Sequence, residues 1–126
     1  MLHHLSFAVA DLERSARFYD AALGALGYIR ACTSPTSVGY GLEAGKDKLL
    51  LNLEAEGLVV PGIGFHLAFA APSRAAVDRF HGAALAQGGR DNGPPGLRPD
   101  YGPHYYAAFV IDPDGYHIEA VINDAV

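Results

Sequence analysis

The sequence predicts an α+β fold: two tandem βαβββ modules whose mixed or antiparallel sheets form a cup with helices outside. Three observations lead there. Residues 4–28 return without a gap as residues 66–90, at a constant offset of 62. Ten of the twenty-five pairs are identical, among them His4/His66, Phe7/Phe69, Arg17/Arg79 and Gly27/Gly89. Inside each copy the hydrophobic period changes from two to about 3.6, the mark of a strand feeding a helix. Two copies are also too few for a solenoid, so they must bury their apolar faces together. The chain of 126 residues is expected to be a single domain (1–126), with module one near 2–56 and module two near 63–123. That length buries a core without disulfides.

The elements follow in order. His3 to Val9 alternates, with His4, Ser6 and Ala8 on one face and Leu5, Phe7 and Val9 on the other, which predicts a strand. Asp11 is placed to cap a helix in which Leu12, Ala16, Tyr19 and Leu23 recur at helical spacing, ended by Gly24 and Gly27. Strands are expected near 28–33, 37–43 and 48–54. In the second copy a strand covers 64–71, Ser73 caps a helix over about 74–87, and Gly88-Gly89 stops it. The stretch 90–106, Gly/Pro-rich over 90–99, has no counterpart in copy one. Tyr105 to Ile111 and Tyr116 to Ile122 close the module as strands around a tight turn, Asp112-Pro113-Asp114-Gly115.

Composition excludes several classes. Half the residues are hydrophobic and 18% are charged, a globular balance. A net charge of −5 argues against nucleic acid or an anionic membrane as the main partner. No apolar run is long enough to span a bilayer, and the N-terminus has no basic region followed by an apolar core. Cys32, the single cysteine, excludes an internal disulfide and fits a reducing cytoplasm, and is expected as a small packed thiol. The expectation is a soluble cytoplasmic protein.

The alternation also aims side chains. Small neighbours around His4 (Ser6, Ala8) and His66 (Ala68, Ala70) suit a concave, open surface, while Leu5, Phe7, Leu67 and Phe69 suit a sheet–helix core. On the last strand His117, Glu119 and Val121 share a face. Aligning Leu49–Asn52 with Tyr116–Glu119 sets Asn52 at the counterpart of Glu119, so His4, Asn52, His66 and Glu119 are expected to converge on the cup's inner wall. Two imidazoles and one carboxylate make a facial set that leaves positions open for water or substrate. It suits one divalent transition metal: Zn, Ni, Mn, Co or Fe. Arg98, Tyr101 and Tyr105, from the stretch without a counterpart, are candidates to line or lid the cup around a small, anionic or aromatic substrate. His81 and His117 read as surface or pocket-wall residues, and Glu13, Arg14 and Arg17 as the solvated face of the first helix. Exposed sheet edges lead us to expect a homodimer, in which one site can combine modules of different chains.

These residues resemble the vicinal oxygen chelate superfamily, which includes glyoxalase I, extradiol dioxygenases, fosfomycin-resistance enzymes and bleomycin-binding proteins. The resemblance covers about residues 2–123. It is carried by the run from His4 to Ser15 with Phe18-Tyr19 and Leu23-Gly24, by His66-Leu67-Ala68-Phe69, and by Asp112-Pro113-Asp114-Gly115-Tyr116-His117-Ile118-Glu119. It implies that His4, His66 and Glu119 are metal ligands, with Glu119 also catalytic, and that Asn52 is a candidate fourth position. Asn52 stands where glyoxalase I has a glutamate that serves as ligand and general base, a role an amide cannot fill; Glu54 has the same parity. Ala8 stands where glyoxalase I holds glutathione with an arginine. Ser6 falls at the substrate-facing threonine of the fosfomycin enzymes. The implied function is a metal-dependent glyoxalase-like enzyme, of lyase or isomerase type, acting on a small oxygen-chelating substrate. The alternatives are a metal-free small-molecule binding or antibiotic-sequestering protein, and a dioxygenase or fosfomycin-type transferase of the same superfamily.

Overall fold

The computed structural model describes residues 1–125. The elements run β1 (Leu5–Val9), α1 (Leu12–Gly24), β2 (Ile29–Thr33), β3 (Ser37–Gly41), β4 (Leu49–Leu53), β5 (Leu67–Ala70), α2 (Arg74–Ala86), β6 (Arg90–Asp91), β7 (Gly96–Leu97), β8 (Tyr106–Ile111) and β9 (His117–Ile122). The βαβββ repeat is therefore present, with β6 in the place of β2 and β7 added by the Gly/Pro-rich stretch. One sheet has the order β1-β4-β3-β2 and the other β5-β9-β8-β6, with β7 also on β8. In each, the first strand runs parallel to the last and the others run antiparallel.

Local chemistry explains the boundaries. The Asp11 carboxylate accepts the N–H of Arg14, and the Ser73 hydroxyl oxygen accepts that of Ala76. Each such cap is worth about 1 kcal/mol. β5 starts three residues later than the alternation suggests, because Gly64 turns through a left-handed φ of 104° just before it.

Each sheet buries one face beneath its helix, and the helices pack on each other. Phe18, Tyr19, Leu23 and Leu51 from module one and Val77, Phe80 and Val110 from module two belong to one fully buried cluster. Gly89 permits this close approach. A Cβ there would lie 2.7 Å from Phe18 Cε2 and 2.9 Å from the Ala84 carbonyl oxygen.

A buried polar latch completes the junction. The turn before β9 is closed by Asp112 Oδ1, which accepts the N–H groups of Asp114, Gly115 and Tyr116. The Tyr19 hydroxyl of α1 donates to Asp112 Oδ2 at 2.6 Å. Arg14 Nη2 and Ser15 Oγ both donate to Asp114. Arg14, expected on the solvated face, is thus a cross-module contact with a nearly buried carboxylate. Burial pushes the Asp112 carboxyl above its ordinary range, against the bond from Tyr19. Burial and the neighbouring Asp112 hold the Tyr19 phenol well above its own. The Tyr116 hydroxyl donates to the Ala8 carbonyl at 2.6 Å, and its ring lies 4.2 Å from that of Phe7.

No strand of one module pairs with a strand of the other among the described residues. The bulky faces meet through the helices, and the small-residue faces stay open, leaving Ser6, Asn52, Ala68 and Ala70 exposed. Among the described residues no helix is long and apolar enough to cross a membrane.

Candidate functional site

The open face of module two gathers the chemistry. Parallel pairing sets Ala68 beside Glu119 and Leu67 beside Ile118, so His66, immediately before β5, reaches along the same face. His66 Nε2 lies 3.0 Å from Glu119 Oε1, and the Glu119 side chain is 1% exposed. The other carboxylate oxygen, Oε2, accepts the Tyr105 hydroxyl at 2.5 Å. A carboxylate this deeply buried is costly unless it is paired and hydrogen-bonded, and here each oxygen has a partner. Burial, followed by the bond to Glu119, pushes the Tyr105 phenol up to about 12.

Beside the pair lies a cleft of about 670 Å³, lined by His66, Asp100, Tyr101, Tyr105, Phe109 and His117. Tyr101 meets Tyr105 edge-on at 5.3 Å. Arg98 is not part of this wall. Its Nη2 donates to the Pro94 carbonyl at 2.6 Å and its guanidinium sits over the Phe109 ring, so it braces the insert rather than facing a ligand.

Module one places its residues elsewhere. His4 precedes β1, is exposed, and sets its Nδ1 2.8 Å from the Nδ1 of His3. Ser6 lines a separate depression of about 290 Å³ with Val59, Pro61, Phe65 and Tyr116. Asn52 is not the counterpart of Glu119. Ser6 pairs with Leu50 just as Ala68, its repeat equivalent, pairs with Glu119. Leu50, with no donor atom, therefore takes that place, and Asn52 corresponds to Val121. Aligning the last strands by residue type alone missed this shift of two, which preserves which face each side chain occupies.

The expected convergence of His4, Asn52, His66 and Glu119 thus does not occur within one chain. Among the described residues no group of three or more His, Cys, Asp or Glu side chains is placed to hold a metal ion. The His66–Glu119 pair nonetheless fits part of such a centre. Two ligands about 2.0–2.2 Å from a cation and at right angles lie about 3 Å apart, the separation this pair has. Within one chain the pair could supply two ligands of a facial set. The Glu119–Tyr105 contact was legible in principle: Phe109 pairs with Glu119, and period two puts residue 105 on the same face as 109. Away from the site, His81 pairs with Asp91 at 2.9 Å, which holds the Asp91 carboxyl below its usual range. Cys32 is exposed rather than packed, because it lies on the outer strand β2.

The profile of the Glyoxalase/Bleomycin resistance protein/Dioxygenase superfamily matches residues 1–120. The chain belongs to this superfamily. A glyoxalase/bleomycin resistance protein from Albidiferax ferrireducens T118 has 34% identity and a TM-score of 0.80, over 95% of this chain and 96% of that one. A variant of glyoxalase I from Zea mays has 25% identity and a TM-score of 0.70, over 95% of this chain and 45% of that one. A glyoxalase-related enzyme from Fulvimarina pelagi, at 23% identity and a TM-score of 0.73 over 98% of this chain and 88% of its own, shares the fold. No curated protein matches the chain.

Proposed function

We propose that the chain is a metal-dependent, glyoxalase-like enzyme of lyase or isomerase type, acting in the cytoplasm as a homodimer on a small oxygen-chelating substrate. The observation that carries this reading is the buried Glu119 carboxylate with His66 Nε2 3.0 Å from its Oε1. His66 and Glu119 hold one divalent cation, Zn, Ni, Mn, Co or Fe, and His4 of a second copy is the third ligand. Support for the second copy comes from the open faces and from β1 and β5, which are the outermost strands of their sheets with unpaired edges. Facing the open side of module one in one copy with that of module two in another would close the cup the sequence predicts. Superfamily membership and the likeness to glyoxalase I support the metal and the reaction type.

When bound, such a cation supplies Lewis acidity toward adjacent oxygens of a substrate. The chain's own residues orient that substrate. Tyr101 and Phe109 offer aromatic rings and His117 ring nitrogens for hydrogen bonding, and no Lys or Arg lines the cleft. This favours a small oxygen-bearing substrate over a large anion such as glutathione.

Metal analysis of protein purified without chelator tests the reading. One equivalent of a transition metal, lost in His66→Ala and in His4→Ala, supports it. A second reading, a metal-free small-molecule binding protein, is favoured by the lack of a three-ligand group within the described chain. Apo protein that takes up no added Zn, Ni, Mn, Co or Fe would select it.

A further inference from the structure

We infer that Tyr105 is a positioning residue for Glu119: its hydroxyl occupies Oε2, so that Oε1 alone, the oxygen beside His66, is presented to a cation. This rests on the metal-binding reading above. The Tyr105 hydroxyl lies 2.5 Å from Oε2, while His66 Nε2 lies 3.0 Å from Oε1. A carboxylate without such a clamp is free to turn about its last bond, or to offer both oxygens to a metal. With one oxygen engaged by a hydroxyl, single-oxygen ligation through Oε1 is favoured over two-oxygen ligation, which keeps one more coordination position for substrate.

The backbone around Tyr105 is built to hold that hydroxyl in place. The Arg98 N–H donates to the Tyr105 carbonyl at 2.8 Å, and the Tyr105 N–H donates to the Gly102 carbonyl at 3.3 Å. β7 pins the next residue, since Leu97 pairs with Tyr106. Tyr101 braces the ring from the side. All of these contacts come from the stretch that module one lacks. Module one also has Leu50 where module two has Glu119, and so has no carboxylate to position. The insert and the carboxylate occur together, which gives the insert a task beyond roofing the cleft.

The test titrates the full apo chain with Co(II), following affinity and the visible d–d absorption of the bound ion, in wild type, Tyr105→Phe and Tyr101→Phe. Removing an outer-shell partner of a metal ligand typically weakens binding about 10–100-fold. That loss is expected for Tyr105→Phe, with an altered d–d band showing a changed coordination sphere. Tyr101→Phe, which keeps the ring and does not touch Glu119, should match wild type. A Tyr105→Phe variant with wild-type affinity and spectrum overturns the inference and leaves the metal reading intact. Wild type that binds no Co(II) or other divalent ion overturns both. Proton NMR of the apo wild type needs no variant: a slowly exchanging, downfield hydroxyl proton assigned to Tyr105 is expected, and its absence also overturns the inference.

Discussion

On the open face of module one stand His4, Ser6 and Leu50; at the equivalent places module two has His66, Ala68 and Glu119. Some buried positions match in both identity and burial. Phe18 and Phe80 are repeat equivalents and both are fully buried, as are Ala22 and Ala84. Packing constrains both copies in the same way, because a core tolerates little change in volume. Nothing forces the open faces to match. A duplicated scaffold can therefore keep one imidazole in each half while placing the carboxylate, and the insert that holds it, in one half only.

The largest expected effect probes that asymmetry. Glu119→Gln should weaken divalent metal binding by more than the roughly 10–100-fold typical of a supporting residue, read by calorimetric titration. Leu50→Glu, which gives module one a carboxylate at the matching position, should tighten binding. Asn52→Glu, two residues along, should leave binding unchanged. If Asn52→Glu tightens binding and Leu50→Glu does not, the register equivalence drawn from the strand pairing is wrong.

The core is expected to respond symmetrically. Phe18→Ala and Phe80→Ala should each cost about 3–5 kcal/mol of unfolding free energy in denaturant titrations. A loss confined to one of them would mean that the modules do not share a single core.

The next contrast pits Tyr19 against His81, its repeat equivalent. Tyr19→Phe removes a donor from a carboxylate that is 2% exposed, for an expected loss of about 1–3 kcal/mol. His81→Gln breaks a pair whose Asp91 partner is half exposed, for a smaller loss than Tyr19→Phe. Equal losses would contradict the view that only module one's helix carries a latch.

The smallest effect is one of pH. The folded-state pKa of Asp112 is raised by burial, so the native state holds its proton more tightly than the unfolded chain does. Its contribution to stability is full below the unfolded carboxyl pKa and is lost as pH rises through the raised folded value; above that it is flat. Stability curves of wild type and Asp112→Asn against pH should differ by that decline. Parallel curves would mean that the Asp112 carboxyl titrates normally.

Much of the fold was legible because its signals are local. Asp11 and Ser73 cap helices that their own sequence announces, and Asp112 to Gly115 forms its turn from its own side chain. The repeat gave His4 and His66 equivalent places. What the chain could not announce depends on distance in space. The shift of two between Asn52 and Leu50 is invisible to a period-two pattern, since both choices keep the same face. Arg14 looks solvated on a helical wheel, and only the arrival of Asp114 from a hundred residues away makes it a contact.

The segment joining the modules, residues 54–64, is mostly exposed and carries Gly57, Gly62 and Gly64. What binds the halves is the common apolar cluster and the Tyr19–Asp112 latch, not that stretch of peptide. A protease nick there would leave two fragments still assembled. The halves produced as separate polypeptides should find each other in solution and rebuild one particle, behaving as subunits that happen to be joined.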